Sequence, residues 1–255
     1  MHKVDINSDL GESFGAYAIG NDRELIGLVS SVNVACGMHA GDPVVMEDTV
    51  AAAVASGTAV GAHPGFPDLM GFGRRNMSVT PAEAKAYVKY QIGALLAFTQ
   101  SRGLKMQHVK PHGALYNMAA TDGKLARAIA EAIVEVDGGL VLLGLAGSRM
   151  LEEGWARGLK VASEVFADRA YMNDGTLVPR SFPGSIIHDK SLAIHRVVRM
   201  VVDGTVESMD GNEIEIKADS ICVHGDNMQA LDFVRGIREA LIKNGVEIKN
   251  LGSFI

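Results

Sequence analysis

Six short runs rich in β-branched residues recur along this chain, and each closes on charged or polar side chains before a turn. In order they are Val4-Asp5-Ile6-Asn7-Ser8-Asp9, Val32-Asn33-Val34-Ala35-Cys36-Gly37-Met38-His39, Val60-Gly61-Ala62-His63-Pro64, His108-Val109-Lys110-Pro111-His112, Val161-Ala162-Ser163-Glu164-Val165-Phe166-Ala167-Asp168-Arg169 and Ile221-Cys222-Val223-His224-Gly225-Asp226. A seventh run, Leu140-Val141-Leu142-Leu143, is apolar throughout, as suits a strand covered on both faces. Helical stretches separate these runs, the alternation that builds a parallel sheet. Polar residues delivered at strand exits are the arrangement of a barrel enzyme, whose reactive groups gather at the carboxyl ends of parallel strands. Strands near 4–8, 32–36, 59–63, 106–110, 140–144, 160–166 and 220–224 therefore predict an α/β fold, a (β/α)7-type barrel of distorted TIM-like form, filling residues 1–255 as one domain.

Local signals place the helices. Thr80-Pro81-Ala82-Glu83 combines a capping hydroxyl, a first-turn proline and an acid at the third position. A helix should run from there to about Gly103, another from Asp42-Pro43 to Gly57, and others over 121–136, 148–157, 189–202 and 227–244. Alternating Ile214 and Ile216 beside Asp210-Gly211 predict a β-hairpin insertion near 205–218.

Bulk properties narrow the class of partner. A formal net charge of −6 over 255 residues argues against nucleic acid and anionic membranes, which favour basic surfaces. The two cysteines, Cys36 and Cys222, sit inside apolar runs and read as buried thiols. Strand signals from Val4 onward leave no room for a signal peptide, and no apolar stretch approaches a membrane span. A soluble, cytoplasmic protein is the expectation, and a homo-oligomer is compatible with it.

The polar groups carry the functional expectation. Asp5, Asn7 and Asp9 alternate and so share one face of the first strand, where three oxygen-bearing side chains are costly to bury without a partner. Glu12 adds a carboxylate just beyond. His39 and His63 leave consecutive strands, and His112 and His224 leave later ones. Together with Asp5, His39 and His63 are the candidates for a divalent transition metal, although their intervals match no compact metal motif. Lys110, aimed into a barrel mouth, must meet an anion or lose its proton. Asp5, Asn7, His39, His63, Lys110, His112, Glu164 and His224 are expected to line one continuous pocket. Removing Lys110 should abolish turnover and spare the fold. Asp168 and Arg169 can pair with each other. The Gly71-Phe72-Gly73-Arg74-Arg75 loop reads as flexible and doubly cationic, suited to phosphate or carboxylate groups. Neither a P-loop nor a Gly-x-Gly-x-x-Gly fingerprint occurs, so a nucleotide would need helix N-termini, glycine backbone and these arginines.

Most of these motifs, with Asp9-Leu10-Gly11-Glu12-Ser13-Phe14-Gly15, Gly61-Ala62-His63-Pro64, Val109-Lys110-Pro111-His112-Gly113-Ala114-Leu115-Tyr116-Asn117, Leu177-Val178-Pro179-Arg180 and Val223-His224-Gly225-Asp226-Asn227, resemble the LamB/YcsF family in the same order across nearly the whole chain. Ser8, Met38, Leu69-Met70 and Met228 depart from that family's usual residues without removing an ionisable group. The resemblance implies a barrel related to deacetylase and glycosidase barrels. It also implies the A-subunit role in 5-oxoprolinase, the ATP-dependent hydrolysis of 5-oxo-L-proline to L-glutamate with ADP and phosphate, which requires separate B and C subunits. A lactam is a poor electrophile, and phosphorylating its carbonyl oxygen makes that oxygen a leaving group. Such chemistry needs cations over phosphates and an acid or base near the ring amide. Lys110, Arg74, Arg75 and Arg169, with Gly71 and Gly73, are expected to serve ATP. Asp5, Asp9, Glu12, Glu164, Asp168 and Asp226 are expected to hold Mg²⁺ or act as bases, His63, His112 and His224 to relay protons, and Asn7 to belong to the same catalytic set. Two other readings are a metal-dependent deacetylase or amidohydrolase and a non-catalytic protein that only binds substrate within the complex.

Overall fold

Seven parallel strands close on themselves in the computed structural model, which describes residues 2–223 and 228–255. They are β1 (Lys3–Leu10), β2 (Ser31–Ala35), β3 (Ala59–His63), β4 (His108–Val109), β5 (Val141–Leu145) and β6 (Lys160–Phe166), then, beyond an antiparallel ribbon of β7 (Thr205–Glu207) and β8 (Glu213–Glu215), β9 (Ser220–Cys222). Ser220 of β9 is in register with Glu164 of β6 on one side and Asp5 of β1 on the other, which closes the barrel. The expected α/β barrel is therefore present. A strand the sequence reading passed over, β10 (Glu247–Ile248), pairs with β1 at Lys3 and Val4. Two residues offer no periodicity to read. His224 and Asp226 lie outside the described residues.

Helices α1 (Asp22–Ile26), α2 (Pro43–Ser56), α3 (Pro81–Ser101), α4 (Gly113–Thr121), α5 (Gly123–Asp137), α6 (Arg149–Trp155), α7 (Lys190–Val202) and α8 (Met228–Lys243) surround the strands. The Thr80–Glu83 capping box forms in both directions, with the Glu83 amide donating to the Thr80 hydroxyl and the Thr80 amide to the Glu83 carboxylate. Asp42 caps α2 by accepting from the amides of Val44 and Val45. The helix expected over 121–136 is α5, and α4 precedes it unannounced. Asp122 separates the two, closing α4 and capping α5 through the amides of Lys124 and Leu125. Among the described residues, no helix is long and apolar enough to cross a membrane.

Alternation along the strands splits the barrel into two chemistries. Outward-facing Val4, Ile6, Val34, Val60, Val109, Leu142, Val165 and Ile221 are all fully buried under the helices. Each such side chain contributes roughly 1.5–3 kcal/mol. The inward positions are polar over much of the circumference. At the amino end, Asp5 accepts from the hydroxyls of Ser30 (2.6 Å), Ser31 (2.8 Å) and Ser220. One layer up, Asn33 donates to Asn7 and Asp9, and His108 Nε2 donates to Asn33 Oδ1 at 2.7 Å. Burial holds His108 down to about 3, so it is a neutral ring. It lies over Gly61, where any Cβ would collide with it. Beside the polar stack, Val141, Leu143 and Ala162 pack against Leu251, Phe254 and Ile255, which stopper the amino end.

Two measurements follow from this interior. Gly61→Ala should cost about 1–3 kcal/mol of overpacking, whereas Gly93→Ala on the exposed face of α3, where a Cβ meets nothing, should gain about 0.5–1 kcal/mol. Equal urea midpoints for the two variants would remove the packing argument. Burial, opposed by the three serines, raises the Asp5 carboxyl from 3.8 to about 6. The folded state thus binds that proton more tightly than the unfolded chain. Its contribution is whole below about pH 4 and is lost as pH rises to about 6, on the order of 3 kcal/mol. Asp5→Asn should remove this component, so its stability relative to the parent should rise across that window. Parallel curves would show that Asp5 ionises freely.

Candidate functional site

A cavity of about 550 Å³ opens over the carboxyl ends of the strands. Lys110 forms its floor. The residue continues the β4 ladder, with its amide donating to the Ala62 carbonyl, and its side chain is 3% exposed. Nζ lies 2.8 Å from both Asp9 Oδ1 and Glu164 Oε1, and 3.2 Å from Asn7 Oδ1 and Cys222 Sγ. Burial alone would drive off its proton, but Asp9 and Glu164 outweigh that and hold Lys110 well above its ordinary range. Lys110 is a fixed cation and not a base. Glu164 is completed by the Asn7 amide (2.9 Å) and the Tyr116 hydroxyl (2.7 Å). Truncating Lys110 would leave the fully buried Glu164 and the partly exposed Asp9 without their shared cation, at a cost of about 3–5 kcal/mol. The expectation that its removal spares the fold is therefore withdrawn.

Pro111 turns the chain so that His112 sits at the N-cap of α4 and reaches back over β3. His39, His63 and His112 are all buried. His39 stacks on His112, with centroids 3.7 Å apart and planes at 5°, and His63 meets both edge-on. His63 Nδ1 donates to the Lys110 carbonyl at 2.7 Å, His112 Nε2 to the Phe72 carbonyl at 2.8 Å, and His63 Nε2 lies 2.9 Å from His112 Nδ1. Burial holds His39 and His112 well below the ordinary imidazole range. Glu12 Oε1 stands 3.7 Å from both His39 Nε2 and His112 Nδ1. Burial and the neighbouring Asp9 raise the Glu12 carboxyl, against the pull of His112, His63 and Arg74. Facing atoms of Glu12, His39, His63 and His112 all lie within 4.8 Å of one another and could hold a metal ion.

The glycine-arginine loop serves these rings. A Cβ on Gly73, which has φ +62°, would press on His39 and His112, and one on Gly65 would press on His39. Leu69–Gly71 is a short 3₁₀ turn capped by Asp68, and Asp68 also pairs with Arg75. The expected flexible, doubly cationic loop is thus a tied one: Arg75 is turned to Asp68, and Arg74, over the Phe72 ring, lines the cavity. A Cβ at Gly71 would strike Asp68 and Arg75.

Of the pocket-lining set expected from sequence, His63, Lys110 and His112 reach the cavity, with Asp9 and Glu12. Asp5, Asn7 and Glu164 lie beneath Lys110, and His39 lies behind the other histidines. These four do not line the cavity, which corrects the single-pocket expectation. Asp5 is held by three serines, so the carboxylate beside His39 and His112 is Glu12, and the one beside His63 is Asp9, whose Oδ2 lies 3.4 Å from His63 Nε2. Arg169 faces the cavity while donating to the carbonyls of Val178 (2.6 Å) and Ser185 (3.3 Å); burial and Arg180 bring it down to about 10, still a cation at neutral pH. Asp168 does not line the cavity; its carbonyl accepts from Ile187. Sequence reasoning missed Tyr116, His108, Asn33 and Arg180. Two of these had a signal: His108 is two residues before Lys110 on the same strand face, and Tyr116 is four after His112 on one helix face.

Comparison with known proteins agrees with this architecture. The LamB/YcsF family model matches residues 4–255. A protein of Alkaliphilus metalliredigens, named as the A subunit of 5-oxoprolinase, is 61% identical over 255 residues, covering 100% of both chains. The crystal structure of a lactam utilization protein from Thermus thermophilus superposes with a TM-score of 0.91 at 52% identity, over 97% of this chain and 99% of that one. A family 4 carbohydrate esterase from Streptomyces lividans, 13% identical with a TM-score of 0.50 over 97% of this chain and 91% of that one, shares the fold alone. The chain belongs to the LamB/YcsF family.

Proposed function

We propose that this chain is the A subunit of a 5-oxoprolinase, and that it works with separate B and C subunits to hydrolyse 5-oxo-L-proline to L-glutamate at the expense of ATP. The observation that carries the reading is the charge layout of the cavity. Its floor holds a fixed ammonium, Lys110, beside Asp9, Glu12, His63 and His112, and its wall and rim carry Arg74, Arg169 and Arg180. A small anionic lactam fits that layout, with its carboxylate on the arginines and its ring amide over the ionisable floor. A pure scaffold would have no use for charges that each cost stability when buried and idle.

The reaction balances as follows. The lactam oxygen bonds to the γ-phosphorus of ATP, which arrives as its Mg²⁺ complex, while the β–γ bridging P–O bond breaks and ADP leaves. Water adds to the activated carbon, with a carboxylate or imidazole of the floor taking its proton. Protonation of the ring nitrogen then lets the C–N bond break, leaving an acyl phosphate. A second water releases phosphate and glutamate. Lys110 and the arginines stabilise the negative charge that develops at each addition, in the manner of a preorganised electrostatic site. Removing one such donor typically costs about 10²–10³ in rate.

The test is an assay of ADP and glutamate with the chain alone and with its B and C subunits. Equimolar ADP and glutamate should form only with the partners present, and ATP-independent turnover would overturn the reading. In that complex, Arg180→Ala, on an exposed rim position, should raise KM for 5-oxo-L-proline by more than about tenfold with the melting temperature unchanged. An unaltered KM would remove Arg180 from substrate binding.

A further inference from the structure

We infer that Glu12, His39, His63 and His112 form a binding site for one divalent transition-metal ion of the zinc class. The argument is one of counting protons and is independent of the reaction proposed above. A carbonyl oxygen only accepts, so the contact of His63 Nδ1 with the Lys110 carbonyl (2.7 Å) places a proton on Nδ1. The contact of His112 Nε2 with the Phe72 carbonyl (2.8 Å) likewise places a proton on Nε2. Both remaining nitrogens, His63 Nε2 and His112 Nδ1, then turn their lone pairs toward each other across 2.9 Å. In neutral rings these lone pairs repel at that distance, and a cation beside them, with Asp9 Oδ2 3.4 Å from His63 Nε2, would relieve the repulsion.

Independent of that pair, His39 points to the same place. It is fully buried, and among the described residues neither of its ring nitrogens has a hydrogen-bond partner. Its Nε2 lies 3.7 Å from Glu12 Oε1, and His112 Nδ1 is the same distance from that oxygen. Those separations are too long for hydrogen bonds. They are close to the edge of a tetrahedron with bonds of about 2.0–2.1 Å, roughly 3.4 Å. Ligand histidines almost always donate their other ring N–H to a carbonyl or carboxylate, and His63 and His112 both do. Three imidazole nitrogens and one carboxylate oxygen select a borderline ion such as Zn²⁺ or Co²⁺ over Mg²⁺ or Ca²⁺, which take oxygen ligands. Because Glu12, His63 and His112 line the cavity, the ion would face whatever occupies it.

The experiment uses the full, untagged chain stripped with a chelator. Titration with ZnCl₂ by calorimetry should show one equivalent bound with a Kd below about 1 μM, undisturbed by millimolar MgCl₂. CoCl₂ should produce the intense visible bands of a tetrahedral site. Glu12→Gln and His39→Gln should each weaken Zn²⁺ binding more than about tenfold with the metal-free circular dichroism unchanged. Should a variant fail to fold, ¹⁵N NMR of the parent decides: the His63 Nε2 and His112 Nδ1 resonances should shift on addition of ZnCl₂, while the other two ring nitrogens stay protonated. Absence of binding up to 1 mM, or equal affinity in folded variants, would overturn the site. So would a metal-free spectrum showing a proton shared between His63 and His112 that ZnCl₂ does not displace.

Discussion

One ammonium group sets the terms for the interior of this barrel. Lys110 ties β4 to Asp9 of β1 and Glu164 of β6, and through Asn7 it joins the polar layer beneath. Its charge makes the two acids tolerable inside, and their charges keep it protonated. Asn7, Asn33, Tyr116 and Ser220 then hold amide and hydroxyl groups against the oxygens that remain. Such a network, with most of its buried oxygens and nitrogens paired, rigidifies a core. The barrel's polar filling is therefore a single unit in which each member fixes the protonation of the next.

Rigidity below allows chemistry above. The histidines are positioned by backbone that the network immobilises: His63 hangs from the Lys110 carbonyl, and His112 follows two residues behind Lys110. The glycine-arginine loop closes over them because Gly73 has no side chain to hold it off. Its Phe72 carbonyl becomes the outer partner of His112. Buried rings beside a carboxylate can serve as proton carriers or as metal ligands, and the arrangement of N–H groups decides between those uses.

Much of this was legible in the residues. Runs of β-branched residues closing on polar ones located six of the barrel strands, an all-apolar run located the seventh, and the Thr80 and Asp42 caps located their helices to within a residue or two. Asp5 and Asp9 share a face, as alternation requires, but alternation does not report height along the barrel axis, and height is what separates a cavity floor from a sealed interior. Asp5 fell below the floor for that reason, and Asn7 and Glu164 with it. The helix over 113–121 was hidden because it opens on a glycine and closes on an aspartate that caps its successor. The arginine pair was read as one unit, though neighbouring side chains diverge; Asp68 takes one and the cavity takes the other.

At the opposite end, Leu251, Phe254 and Ile255 plug the barrel against Val141, Leu143 and Ala162. The tube is blind. Among the described residues that end is packed, so whatever enters over the strand exits leaves on the side it came from, and arrival and departure compete there. Any surface that settles on that rim governs both, and it can keep a reactive species inside until its last bond has been made or broken.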